Sequence, residues 1–236
     1  MALSSTRTDP SRRPAFLSAA LRQGRILLVS STLALSSGLA DASIGSNPIT
    51  LPPTDALQTT LPPRLDVAPT GSEFLRFTTR MNPAARERAI LEQIRSGNVP
   101  GHLRTLSPVK LAYQDHEATV FVTPDYLAVG SDEDYVVIPM APRTAMAIAR
   151  EFGFTLPTRK LVDAIYRSSS TRLAPQPMQP GPAMTSNEYY QEHDRRIKTQ
   201  LSASGGTLAL VAGHKKDLVL TPRLSEQPHR VAIYGW

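Results

Sequence analysis

Apolar residues recur at helical spacing in four places along the chain and alternate at strand spacing in several others. Asn82-Pro83 supplies a capping side chain followed by proline at the first helical position, and Ile90, Leu91 and Ile94 then form an apolar stripe. The pattern predicts a helix running on to Gly97, with Arg86, Arg88 and Arg95 mostly off the stripe. A second helix is predicted from Pro142, with Ala145, Ile148, Ala149 and Phe152 on one face and Gly153 as its stop. A third spans Thr158 to Ser168 around Leu161, Val162 and Ile165. Thr185-Ser186-Asn187-Glu188 has the form of a capping box, opening a fourth helix that carries Tyr190, Ile197 and Leu201 inward and ends at Gly205-Gly206.

Strand patterns occupy Val109–Tyr113, Ala118–Val122, Asp125–Val129 and Tyr135–Ile138, the last two separated by Gly130-Ser131-Asp132-Glu133-Asp134. Leu208–Ala212, Asp217–Thr221 and Val231–Trp236 read as closing strands. Helices and strands do not alternate regularly. The expected fold class is therefore α+β, one domain with a mainly antiparallel sheet and three to four helices, over residues 74–236.

Two segments precede that domain. Residues 43–73 interleave Pro48, Pro52, Pro53, Pro62, Pro63 and Pro69 with Thr, Ser and Gly, a composition expected of an extended, solvated linker, either a spacer or a tail. Residues 1–42 have the layout of a signal peptide: a basic region ending at Arg25, an apolar stretch from Ile26 to Ala40, and Ala40-Asp41-Ala42 before a cleavage point between Ala42 and Ser43. Ser11 to Leu17 (SRRPAFL) resembles a twin-arginine motif with one residue inserted, but the ordinary secretory route is the leading expectation. An extracytoplasmic protein, periplasmic or secreted, with no transmembrane span after cleavage, is the expectation.

Charge adds less than it first suggests. The chain of 236 residues carries a formal +6, yet half of that excess lies in residues 1–42. With the remainder at only +3, no nucleic-acid partner is expected. The absence of cysteine removes disulfides, thiolate metal sites, cysteine peptidases and L,D-transpeptidases from consideration.

The stretches Asp125–Met140 (DYLAVGSDEDYVVIPM), Leu156–Tyr166 (LPTRKLVDAIY), Leu210–Leu220 (LVAGHKKDLVL) and Val231–Trp236 (VAIYGW), in that order, resemble an uncharacterised group of exported bacterial proteins. The resemblance covers the chain from about Arg88 onward. It implies a cell-envelope or secreted protein, and it brings no activity, cofactor or catalytic residue with it. Members of that group continue past the Tyr-Gly-Trp with a further His-containing segment, which raises the expectation that this chain is a truncated form lacking part of the site.

The densest polar cluster is His214-Lys215-Lys216-Asp217, following Gly213 between two apolar strands. Two chemistries fit it. In a hydrolase-like enzyme His214 would act as general base with Asp217 orienting it, joined by His193 if the fold brings it near, while Lys215 and Lys216 hold an anionic substrate. In a binding module the same lysines would recognise an anionic small molecule or envelope polymer. The plain alternative is a hairpin turn with edge-protecting lysines. Tyr189, Tyr190, His193 and Asp194 share one predicted helix, with His193 on the side of both tyrosines. Asp125 with Asp132-Glu133-Asp134 offers carboxylates for a hard cation but lacks the alternating spacing of an EF-hand, and a solvated turn is the better reading. His102, His116, His193, His214 and His229 are scattered without metal-ligand spacing, so no metal or cofactor is expected. No HExxH, GxSxG, Walker A or GxGxxG pattern occurs.

Overall fold

The computed structural model describes residues 57–205, 209–227 and 230–235. The signal segment, its cleavage point at Ala42–Ser43, the first part of the expected linker and His229 lie outside the described residues. In chain order come helices α1 (Gly71–Thr78) and α2 (Pro83–Arg95), then strands β1 (Ser107–Tyr113), β2 (His116–Val122), β3 (Ala128–Gly130) and β4 (Tyr135–Val137). Helices α3 (Pro142–Phe152) and α4 (Arg159–Ser168), strand β5 (Thr171–Arg172), helix α5 (Asn187–Ala203) and strands β6 (Val211–Ala212), β7 (Lys216–Leu218) and β8 (Ile233–Gly235) complete the described chain.

The fold is α+β. It differs from the expected single sheet: among the described residues the strands form four separate two-stranded ladders, β1–β2, β3–β4 and β7–β8 antiparallel and β5–β6 parallel. A two-stranded ladder is marginal alone in water, so the helices and loops packed around these ladders supply the burial that holds them. The main core gathers Phe74 from α1, Ile90 and Ile94 from α2, Val129 and Val136 from the β3–β4 ladder, and Ile148 from α3. A smaller cluster joins Val109 to Ala164 and Leu210, and another joins Leu173 to Ile197 and Val211.

Caps set the helix starts as the sequence leads one to expect. Asn82 Oδ1 accepts from Ala85 N at 2.9 Å, Thr158 Oγ1 accepts from Leu161 N at 3.4 Å, and Gly153 ends α3 with φ of 73°. The cap of α5 is one residue later than the expected box. Ser186, not Thr185, accepts from a backbone N–H, that of Tyr189 at 3.2 Å.

The domain boundary at residue 74 needs correction. Residues 57–73 are not a solvated linker: Leu61 is buried in the main core, Leu106 N donates to Leu57 O at 2.7 Å, and α1 begins at Gly71. The Arg104 guanidinium holds this stretch in place, donating to Leu61 O at 3.2 Å and Pro62 O at 2.9 Å on one side and to Gly97 O at 2.7 Å on the other. Prolines lack an N–H but keep their carbonyls, and here those carbonyls are what the arginine collects. Gly97 takes φ of 76° against the Pro62 carbonyl, where a Cβ would have no room.

Arg86 also departs from expectation. It is buried on the inner side of α2, donating to Thr185 O at 2.6 Å, Asn187 Oδ1 at 3.2 Å and Tyr190 Oη at 3.3 Å. It thereby ties α2 to the start of α5.

Candidate functional site

The 213–217 segment is not a hairpin turn. β6 pairs with β5 and β7 pairs with β8, so Gly213-His214-Lys215 crosses from one ladder to another. Gly213 makes the crossing possible with φ of 100°, and a Cβ at this position would collide with Leu173 O. The Val211 N–H donates to Pro124 O at 2.7 Å, which brings Asp125 and Tyr126 alongside the crossing.

That neighbourhood changes the expected roles. His214 Nε2 donates to Asp125 Oδ1 at 2.8 Å, so Asp125 and not Asp217 orients the imidazole. The His214 side chain has no solvent exposure, and its Nδ1 is buried without a hydrogen-bond partner among the described residues. Tyr126 lies edge-on to the ring, with centroids 5.0 Å apart, and its hydroxyl is shared between Lys215 O at 2.8 Å and Asp217 Oδ2 at 3.1 Å. Burial pushes the Asp217 carboxyl up to about 6, against the opposing pull of the Tyr126 hydrogen bond and of His214. Burial, followed by the Asp217 charge, raises the Tyr126 phenol strongly.

Lys215 turns the other way, toward α5. Its Nζ is 2.9 Å from His193 Nδ1. An ammonium has three N–H donors and no lone pair, so Nδ1 accepts and the ring proton of His193 sits on Nε2. Burial lowers the His193 pKa to about 4, helped by the nearby charges of Lys215, His214 and Arg196. Burial also lowers that of Lys215, opposed by Asp194 and Asp125. Lys215 forms no salt bridge among the described residues; Asp194, the α5 carboxylate whose charge acts on it, is taken by Lys198 at 2.8 Å and by Val137 N at 3.0 Å.

His193, Lys215 and Lys216 border a cleft of about 550 Å³. Its walls are Val137 at the end of β4 and Pro139 just beyond it, Pro175 and Pro177 from the loop before α5, Met184, and the two tyrosines Tyr189 and Tyr190. The second proline-rich loop thus forms part of the cleft wall, which composition alone did not signal. Met184 is 47% exposed there, and Tyr190 is fixed from behind by the Arg86 guanidinium, 5.1 Å from its ring centre. Of the sequence candidates, the cleft brings together His193, Lys215 and Lys216, with His214 at its base; Asp217 stays with Tyr126. Asp125, considered only as part of an acidic group, is the residue sequence reasoning missed. It lies 89 positions from His214, and no local pattern connects the two.

A larger cleft of about 750 Å³ lies between α1, β4 and α5. Its charged side chains are engaged with one another or with backbone, as in Lys198 with Asp194 and Arg195 with Glu192 at 2.8 Å. Both of its cations are thus paired, and Asp134 and Glu188 leave its lining with more carboxylates than cations, so the smaller cleft is the better candidate for an anion.

The acidic turn is structural. Asp132 accepts from His102 N at 3.0 Å and pairs with its ring, while Asp134 accepts from Ser72 Oγ at 3.1 Å. Among the described residues no group of three or more His, Asp or Glu is placed to hold a metal ion, and no helix is long and apolar enough to cross a membrane. Comparisons with protein-family models, with curated proteins and with solved structures return no match.

Proposed function

We propose that this protein is an extracytoplasmic binding module that takes an anionic ligand in the cleft between α5, the 175–184 loop and the 213–217 crossing. The observation that carries the reading is Lys215: a half-buried ammonium at the edge of an apolar and aromatic cleft, positioned by a neutral imidazole and not by a carboxylate. A cation without an ion-pair partner in such surroundings favours an incoming negative charge. Convergent polar groups in an apolar concavity of this size are what small-ligand sites have in common. Extracytoplasmic placement rests on the basic, apolar and small-residue sequence of positions 1–42.

A hydrolase-like enzyme has one feature in its favour, the Asp217 carboxyl with its pKa near neutrality. It has less behind it, because that carboxyl faces Tyr126 and the His214 ring is enclosed against Asp125.

Thermal melts of the chain with a panel of anions test the proposal. A ligand should raise the melting temperature of the parent protein, and added salt should weaken the effect. Changing Lys215 and Lys216 together to Ala should abolish that rise while leaving a cooperative transition. If instead a His193→Ala protein keeps the ligand and loses a measurable turnover, the chain is an enzyme.

A further inference from the structure

We infer that the ligand of this cleft is a small carboxylate with an apolar body, its charged end on Lys215 and its body between Tyr189, Tyr190, Pro175, Pro177 and Met184. This rests on the reading of the cleft as an anion site and narrows it to one chemical class.

The charge at the site sets the first limit. Lys215 spends one N–H on His193 Nδ1 and keeps two for a ligand. His193 is neutral in this arrangement, and its remaining donor, Nε2–H, leaves from the opposite edge of the ring. Lys216 is exposed at the rim, where water screens it. One desolvated positive charge thus faces the ligand. It matches a carboxylate, which carries a single charge at neutral pH. A phosphate monoester, with a charge of about −1.5 to −2 and three strong acceptor oxygens, would bring charge into an apolar cleft that nothing there neutralises.

The walls set the second limit. The rings of Pro175 and Pro177 are rigid and apolar, and Tyr190 is backed by Arg86, so these wall side chains have little freedom to lose when a ligand arrives. Preformed apolar walls reward an apolar body without an ordering cost. Lys215 is equally constrained, because its carbonyl accepts from Tyr126 Oη and its ammonium rests on His193. The cleft of about 550 Å³ has the size of a small-molecule site. An envelope polymer would call for a longer track of cations.

Isothermal titration of the intact chain with 4-phenylbutyrate, octanoate, 4-phenylbutanamide and phenyl phosphate tests this. At least one of the two carboxylates should bind, and 4-phenylbutanamide should bind weaker than 4-phenylbutyrate by about tenfold or more. Lys215→Met should weaken the carboxylate by about tenfold, and Lys216→Met by no more than about twofold. The comparison of acid with amide uses the unaltered protein, so a variant that fails to fold does not remove the test. Phenyl phosphate binding tighter than both carboxylates would overturn the carboxylate assignment while leaving an anion site standing. Equal affinity for acid and amide, or binding of none of the four, would overturn the carboxylate assignment and the anion site together.

Discussion

His214 and Asp125, 89 residues apart, meet through a 2.8 Å hydrogen bond between two side chains that are almost wholly enclosed. The bond joins the 213–217 crossing to the segment before β3. Besides it, the Asp125 carboxylate accepts from Tyr126 N at 2.7 Å. His214→Ala therefore leaves a buried carboxylate short of a partner, and a destabilisation of about 1–3 kcal/mol is expected. Asp125→Ala should be similarly harmful, and the double variant should fall well short of the summed effects. Chemical denaturation of the four proteins measures this; additive losses would mean that the two side chains do not act as a pair. Loss of ligand binding in His214→Ala is, for the same reason, no sign of a catalytic role unless the protein remains folded.

His193 and Asp217 titrate in overlapping ranges with opposite consequences. The folded Asp217 carboxyl holds its proton up to about pH 6 against an ordinary 3.8, so its stabilising contribution is complete below that lower value and is lost as pH rises through 6. His193 takes up a proton only near pH 4 against an ordinary 6.5, so its contribution is complete above 6.5 and is lost as pH falls toward 4. In the parent protein the two slopes offset each other. Relative to it, Asp217→Asn should gain stability as pH rises from 4 to 6, and His193→Gln should gain as pH falls from 6.5 to 4. Melting temperatures across that range give the answer, and parallel curves for the two variants would contradict it.

Arg104→Lys should loosen the stretch around Leu61 and Pro62. An ammonium cannot reproduce the planar fork that reaches carbonyls on both sides of the contact. Limited proteolysis of the parent should spare residues 57–73, and the variant should be cut there. Equal protection in both proteins would show that burial of Leu61 suffices without the arginine.

N-terminal sequencing of the protein recovered from its native host should begin at or near Ser43, as the Arg25, Ile26–Ala40 and Ala40-Asp41-Ala42 pattern predicts. Intact Met1 protein in the soluble cytosol would contradict export.

Local signals were the legible ones. Asn82 and Thr158 announce helix starts by capping backbone N–H groups three residues on, Pro142 does so as the first residue of its helix, and α2, α3 and α4 follow. Helix α1 was hidden by the prolines around it, although Thr70 and Glu73 form a reciprocal capping box that a search for the pattern Thr-x-x-Glu would have found. The partners of β5 to β8 were not legible. Two or three residues carry too little alternation to specify a mate, and β5 finds β6 across some 40 positions. A still longer separation, 89 positions, concealed the Asp125–His214 bond. His193 and the lysines were visible as chemistry but not as neighbours, because a half-buried ammonium resting on an imidazole depends on how α5 packs.

The walls of the smaller cleft come from four stretches, at 137–139, 175–184, 189–193 and 214–216, none of which could shape it without the others. Affinity is thus a property of the completed chain, and any occupant draws the whole folding equilibrium toward the native side by mass action. Ligand-dependent survival under heat would then follow from the same contacts that recognise a ligand, and the unloaded protein would be the form that proteases clear first.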